Sequence, residues 1–410
     1  MKQGIVFAGI AAVLVGLTSV ASAKERTFGE DVAFLKKHVD VVVLEDGESR
    51  VAVVPAYQGR VMTSTTGGDD GPSYGFLKYD VIEQGLLPEA KRKGTLQEHI
   101  YVFGGEERFW LGPEGGQYAI FFKPGSKFEF TDWFTPPAID TESYSLKKRS
   151  KKKAVFEYAC ELENWSGTPF KVEVDRTVRL LKGRAVKQIV GKLPEGVSCV
   201  AYETDNAIEN AGDAAWTKES GMLSIWLLGM FKPGANTTVV IPFKGGDEAA
   251  LGPKVNDTYF GKVPSEYLKV KDDVLFFKGD GTRRGKIGIS PQRSKGIAGS
   301  YDADSMTLTL VTYNQPKQYV GYVNSMWEQQ KEPFKGDAIN SYNDGAPTPG
   351  AKPLGPFYEL ETSSPAAALK PGQSLKHVQR TLHIQGPEAL LDPIAKRTLG
   401  VSLAEIKSAL

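Results

Sequence analysis

Cysteine is nearly missing from this chain: Cys160 and Cys199 are the two in 410 residues. Each lies in a strand-like run, and bridging them would need α-carbons within about 7 Å. Two thiols cannot form the main scaffold of so long a chain, so a packed core must hold it together. Neither sign of charge dominates. Fifty Lys and Arg against 49 Asp and Glu leave a net charge of +1, which argues against nucleic acid or an anionic membrane as the main partner. Beyond the first two dozen residues no run is apolar enough to cross about 30 Å of hydrocarbon, so no membrane anchor is expected. Helical periodicity is scarce, no internal repeat is visible, and no Ser-rich linker divides the chain. Histidine is also rare, with four in all: His38, His99, His377 and His383.

What is present begins with an export pattern. Lys2 provides a positive start, Ile5 to Leu17 an apolar stretch, and Ala21-Ser22-Ala23 the small residues of a cleavage site. These are the three parts of a secretory signal peptide. Residues 1–23 are therefore expected to be removed, leaving residues 24–410 in the periplasm or secreted.

The remainder reads as strands. Val41 to Leu44, Glu45-Asp46-Gly47 and Val51 to Val54 spell strand, turn, strand, with β-branched residues in both arms and Asp-Gly at the turn. The same grammar recurs at Tyr118 to Phe122, Val155 to Leu162, Phe170 to Leu181, Val186 to Leu193, Met222 to Met230, Val239 to Phe243, Val274 to Lys278, Met306 to Tyr313, Phe357 to Thr362 and His377 to Ile384. Many short strands punctuated by Gly and Pro predict an all-β, antiparallel sandwich or barrel. Short helices are expected at Val32 to His38, Pro387 to Leu391 and Leu403 to Leu410. The basic run Lys147 to Lys153 reads as a solvated hairpin tip, since strand-like sequence flanks it.

Three segments could carry chemistry. His99 to Gln117 places a histidine, three acids, Arg108 and Trp110 between Gly-Gly pairs. Glycine lets the backbone approach a ligand or another strand closely. The Arg108 guanidinium is a planar fork suited to hydroxyl pairs or carboxylate, and Trp110 offers a flat face to a sugar ring. A phosphate cradle does not fit, because no Lys-Ser/Thr follows. The second segment joins Asn324 and Trp327 to Asn340, Tyr342, Asn343 and Asp344. Amides that both donate and accept suit a polyhydroxylated ligand. Asn340, Asn343 and Asp344 also offer oxygens to calcium, although their spacing departs from the calcium-loop pattern; no other metal or cofactor is expected. In the third, strand alternation sets Glu359 and Glu361 on one face, where like charges repel and one carboxyl can keep its proton.

At this third segment the chain resembles the galactose mutarotase-like superfamily. Leu360-Glu361-Thr362-Ser363-Ser364-Pro365-Ala366 and then Leu369-Lys370-Pro371-Gly372 follow the order of a Leu-Glu-Thr-Gln strand, a Pro-Asp-Ala step and a Leu-x-Pro-Gly turn in aldose 1-epimerases. Gln58-Gly59-Arg60-Val61 is similar to the Gly-containing second strand of that fold. Gly104-Gly105-Glu106-Glu107-Arg108-Phe109-Trp110-Leu111-Gly112-Pro113-Glu114 is similar to a Gly-Gly-x-x-x-x-Trp-x-x-Pro-Glu segment of bacterial members. The resemblance implies one large antiparallel β-supersandwich over residues 24–410 with a short helical tail. It also implies a carbohydrate ligand and Glu361 as catalytic base, with Glu359 the alternative register. Leu162-Glu163-Asn164-Trp165-Ser166-Gly167 stands where the epimerases carry an Asn-His-x-Tyr-Phe-Asn segment, and it has no histidine.

His99 and Glu114 are then the candidates for the acid. Arg60, Arg108, Trp110, Asn324, Trp327, Asn340, Tyr342, Asn343 and Glu359 are the candidates for binding. Proton transfer at or near an anomeric carbon, sugar capture without turnover and a purely structural role are the three functions that follow.

Overall fold

The computed structural model describes residues 25–318, 320–348 and 350–410. The expected signal peptide lies outside them. The chain forms three antiparallel sheets with few short helices, as the alternation of β-branched residues requires. The largest sheet has ten strands, and its centre is built from the long strands Pro169–Leu180, Ser198–Asn210 and Ser374–Gln385. Along Pro169–Leu180 the inward positions Phe170, Val172, Val174, Arg176, Val178 and Leu180 are buried, while most of their neighbours face solvent.

A five-stranded sheet lies against it, in the spatial order Gly285–Ile289, Ile339–Asn343, Tyr358–Ser363, Ser224–Phe231 and Arg108–Gly112. A three-stranded sheet of Val42–Asp46, Ser49–Val54 and Arg60–Thr65 extends this layer. The connection is made by reciprocal backbone bonds between Val61 and Glu107.

Both faces of the five-stranded sheet are buried. On the inner face Ile287, Ile289, Ile339 and Leu360 pack on Val239, Ile241, Ala298 and Val311 of the ten-stranded sheet. Polar groups cross the same interface in matched sets. Arg176 donates to Glu107, Gln379 donates to the other Glu107 oxygen, and Thr362 bonds His377. Burial without a charged partner pushes the His377 imidazole down to about 3, so it is neutral.

Helices Glu388–Leu399 and Leu403–Lys407 cover part of the outer face of the large sheet through Leu391, Ile394, Leu399 and Ile406. The first of them continues through Pro393, past the end expected at Leu391, because Ile394, Ala395 and Leu399 extend its buried stripe. Near the amino end Phe28–Leu35 forms a helix whose Thr27 and Glu30 cap each other, so it starts four residues before the expected Val32.

Two expected strands are absent. Arg184–Val190 is a helix bounded by Gly183 and Gly191, both at positive φ, and Val186 and Val190 fall on one buried stripe against the carboxyl-terminal helices. Residues 118–122 are irregular, with one bridge from Phe122 to Trp133. The run at Lys147 to Lys153 is the exposed tip of the hairpin formed by strands Ser145–Arg149 and Lys153–Glu163, with residues 150–152 as its turn. Cys160 and Cys199 are free thiols, and burial pushes each up to about 12.

Candidate functional site

Strand registry builds the outer face of the five-stranded sheet. Asn340 pairs with Glu361, Glu361 with Leu228 and Leu228 with Arg108. The next row pairs Lys286 with Tyr342 and Tyr342 with Glu359. A third brings Ser363, Trp226 and Trp110 side by side. A period of two puts every member of these rows on the face away from the ten-stranded sheet. An apolar sandwich strand would ordinarily place solvated polar groups there. Here loops roof the face and leave a cavity of about 870 Å³.

Its walls combine aromatic surface from Phe130, Trp226, Tyr259, Phe260, Trp327 and Tyr342 with the polar groups Glu114, Arg284, Lys286, Asp337, Asn340 and Asp344. Flat aromatic faces beside a few fixed polar groups are the usual make-up of a small-molecule site.

The floor carries two buried ion pairs. Arg108 Nη2 stands 2.5 Å from Glu359 Oε1, with the Arg108 guanidinium over Trp110. Lys286 Nζ donates to Glu361 Oε2 at 2.8 Å, and Trp226 Nε1 donates to the same oxygen at 3.0 Å. Among the described residues Glu361 Oε1 has no hydrogen-bond partner. Burial opposes the Lys286 ammonium, but the charges of Glu361 and Glu114 outweigh it and raise its pKa. Burial also raises the Glu359 carboxyl, with Arg108 pulling the other way and the Glu361 charge adding to the rise. The expected repulsion between Glu359 and Glu361 is thus met by a separate cation for each.

Glu114 follows strand Arg108–Gly112, and its backbone N–H is held by Ser325 Oγ at 3.1 Å. Burial pushes its carboxyl up to about 7; Lys286 pulls against this and the Glu361 charge reinforces it. A second polar group stands across the cavity. Tyr259 donates to Asp337 Oδ2 at 2.6 Å, Asn256 donates to the same oxygen at 3.2 Å, and Asn340 Nδ2 donates to the Tyr259 hydroxyl at 3.1 Å. Burial raises the Asp337 carboxyl above the usual range.

The residues singled out from sequence divide into three groups. Glu114, Trp327, Asn340 and Tyr342 line the cavity. Glu361, Glu359, Arg108 and Trp110 lie on its sheet face, just beneath the lining. The remainder are turned elsewhere. His99 is one layer away: its Nδ1 bonds the Trp133 carbonyl at 2.7 Å and its ring packs on Phe130 and Phe134. Arg60 is 1% exposed and donates from Nη1 to the Gly104 carbonyl and from Nη2 to Gln58 Oε1. Asn324 caps its own turn by accepting from Met326 N–H.

Asn343 belongs to the opposite strand face from Asn340 and bonds Asp280, Gly281 and the Arg283 carbonyl. The oxygens suggested for calcium are therefore split between two faces. Asp344 is already bonded by the Tyr342 hydroxyl and Gly355 N–H. Among the described residues no group of three His, Cys, Asp or Glu is arranged to hold a metal.

Lys286, Trp226, Tyr259, Asp337 and Arg284 had no motif to announce them. Their one local signal is a cation at alternate positions, Arg284 and Lys286, entering an otherwise small and apolar strand.

The fold is similar to galactose mutarotase-like structures. A candidate aldose 1-epimerase from Escherichia coli K12 has 10% identity and a TM-score of 0.48, with 85% of this chain and 99% of that one covered. A protein from Synechocystis sp. PCC 6803 has 13% identity and a TM-score of 0.48 over 85% and 96%. A galactose mutarotase related enzyme from Lactobacillus acidophilus has 8% identity and a TM-score of 0.43 over 84% and 97%. No curated protein matches the sequence. A family model matches residues 26–410, nearly the whole described chain, and by that match the protein belongs to the family of unknown function DUF6786.

Proposed function

We propose that this is an exported carbohydrate-active protein that binds a saccharide in the cavity and transfers protons at or near its anomeric carbon. One observation carries the reading. Two carboxyls near Lys286 differ in environment, Glu114 being pushed up to about 7 by burial while Glu361 is ion-paired with the ammonium. Carboxyls set apart in this way can act as acid and base together. Glu361 Oε1 is the free lone pair, so it takes the proton of the anomeric hydroxyl. Glu114 holds a proton near neutrality and gives it to the ring oxygen as the bond from that oxygen to the anomeric carbon breaks. Closing the ring on the other face returns both protons. The aromatic walls bind the C–H faces of the sugar, and Asn340 bonds its hydroxyls.

A second reading is sugar capture without turnover. It is favoured by the position of Glu361, fully buried behind Lys286 and Trp226. Glu361→Gln separates the two. Under the catalytic reading the variant loses turnover of reducing sugars or oligosaccharides by 100-fold or more, the size of a lost general base, and keeps its affinity. If the wild type changes nothing in a broad glycan panel but still binds, capture is the function. Export is checked by sequencing the amino terminus of protein recovered outside the cytoplasm, which should begin at Lys24.

A further inference from the structure

Strand Gly285–Ile289 brings two cations onto the cavity face, Lys286 and, just before its first residue, Arg284. Two residues along a strand separate them by about 7 Å. Their circumstances differ. Lys286 is paired with Glu361. Arg284 has no ion-pair partner among the described residues, and its guanidinium carbon stands over the Phe260 ring at 3.8 Å from the centroid. The ring contact helps hold the fork in place without using its N–H donors on a carboxylate of the chain, and such a fork can receive a carboxylate through two parallel bonds.

The other acids of the lining do not compete for it. Asp337 is bonded by Tyr259 and Asn256, and Asp344 by Tyr342 and Gly355. Lys78 has Asp80 at 3.9 Å. Lys352, which also lines the cavity and is exposed, adds a second positive charge without a partner among the described residues. The lining thus has two cations without an ion-pair partner among the described residues, Arg284 and Lys352, and Arg284 stands at the edge of the five-stranded sheet opposite the strand that leads to Glu114.

From this we infer that the ligand is an acidic saccharide, a uronate whose carboxylate is held by the Arg284 fork while the rest of the sugar lies along Trp226, Tyr259 and Trp327. The cavity falls in the upper part of the usual range of about 300–1,000 Å³ for ligand sites, which leaves room for more than one ring. This deepens the proposed function and rests on its claim that a saccharide binds here.

The test is equilibrium binding of the full mature chain to galacturonate, glucuronate and mannuronate oligosaccharides. Each is compared with its carboxyl-reduced neutral counterpart and with a sulfated neutral oligosaccharide. Wild type should bind at least one uronate tenfold or more tighter than its neutral counterpart. Arg284→Gln should remove that preference, lowering uronate affinity tenfold or more relative to neutral affinity, and Arg284→Lys should restore part of it. Circular dichroism checks that both variants are folded. Equal affinity for uronate and neutral sugar in the wild type overturns the inference but leaves the proposed function intact. So does a preference that survives Arg284→Gln, or one that goes to the sulfated sugar. If no sugar of any kind binds, both fall.

Discussion

Glu114 is the residue on which pH should act most visibly. Its carboxyl rises from an ordinary 4.5 to about 7 in the folded chain, so folding takes up a proton between those values. The sign follows from linkage. Below about pH 4.5 both states are protonated and nothing is lost; stability then falls as pH rises through 7, by roughly 3 kcal/mol in full. Glu114→Gln should therefore resist urea better than wild type at pH 8 and match it near pH 4. An equal shift at both pH values would remove Glu114 as the titrating group. Under the catalytic reading, turnover in the wild type should decline as pH rises past 7, because the acid loses its proton. Lys286 is the complementary case. Lys286→Met leaves the Glu361 charge buried without its ammonium, and breaking a buried pair in this way typically costs about 3–5 kcal/mol. A loss well below 1 kcal/mol by urea unfolding would mean that solvent reaches the pair.

At the scale of elements, the expected strand at Val186 to Leu193 became a helix for a tertiary reason. Val186 to Leu193 is rich in β-branched residues, so local propensity favours a strand. Yet Val186 and Val190 are buried near helix Glu388–Leu399 while Gln188 between them is exposed, and a helix sets 186 and 190 on one face without 188, as a strand cannot. Tertiary packing overrode propensity. The helical cover of the large sheet is remote from the cavity, which permits a clean separation. Leu391→Ala, at a fully buried position, should cost about 2–5 kcal/mol in urea unfolding and leave saccharide affinity unchanged. A parallel loss of affinity would couple the helices to the site. Strand Tyr358–Ser363 shows the opposite outcome. Its alternation was legible, and Glu359 and Glu361 do share a face. What alternation could not say is that loops roof this face, so both acids are buried.

For the whole molecule, the sheets are joined by apolar packing and by the Arg176–Glu107 pair, in which both side chains are fully buried. Glu107 immediately precedes Arg108, so this pair also sets the start of the strand that carries one ion pair of the cavity floor. Arg176→Met should cost about 3–5 kcal/mol, because it strands a buried carboxylate. Arg176→Met with Glu107→Leu should lie closer to wild type in the same unfolding measurement, since neither charge is then left alone. A double variant less stable than the single one would show that Glu107 is held chiefly by Gln379 instead.

Strand grammar and the Gly and Pro punctuation were enough to indicate an antiparallel β protein with few helices, because they depend on neighbours along the chain. The same holds for Glu359 and Glu361 sharing a face, which needs only a period of two. The near absence of cysteine also had its consequence, since both thiols are free and noncovalent contacts hold the sheets. Tertiary structure decided the rest. Lys286 finds Glu361 across 75 positions, Arg108 finds Glu359 across 251, and His99, though close to the glycine-rich segment, turns toward Trp133. Which charges meet in a buried cavity depends on registry between strands far apart in the chain, and local pattern carries no record of that registry.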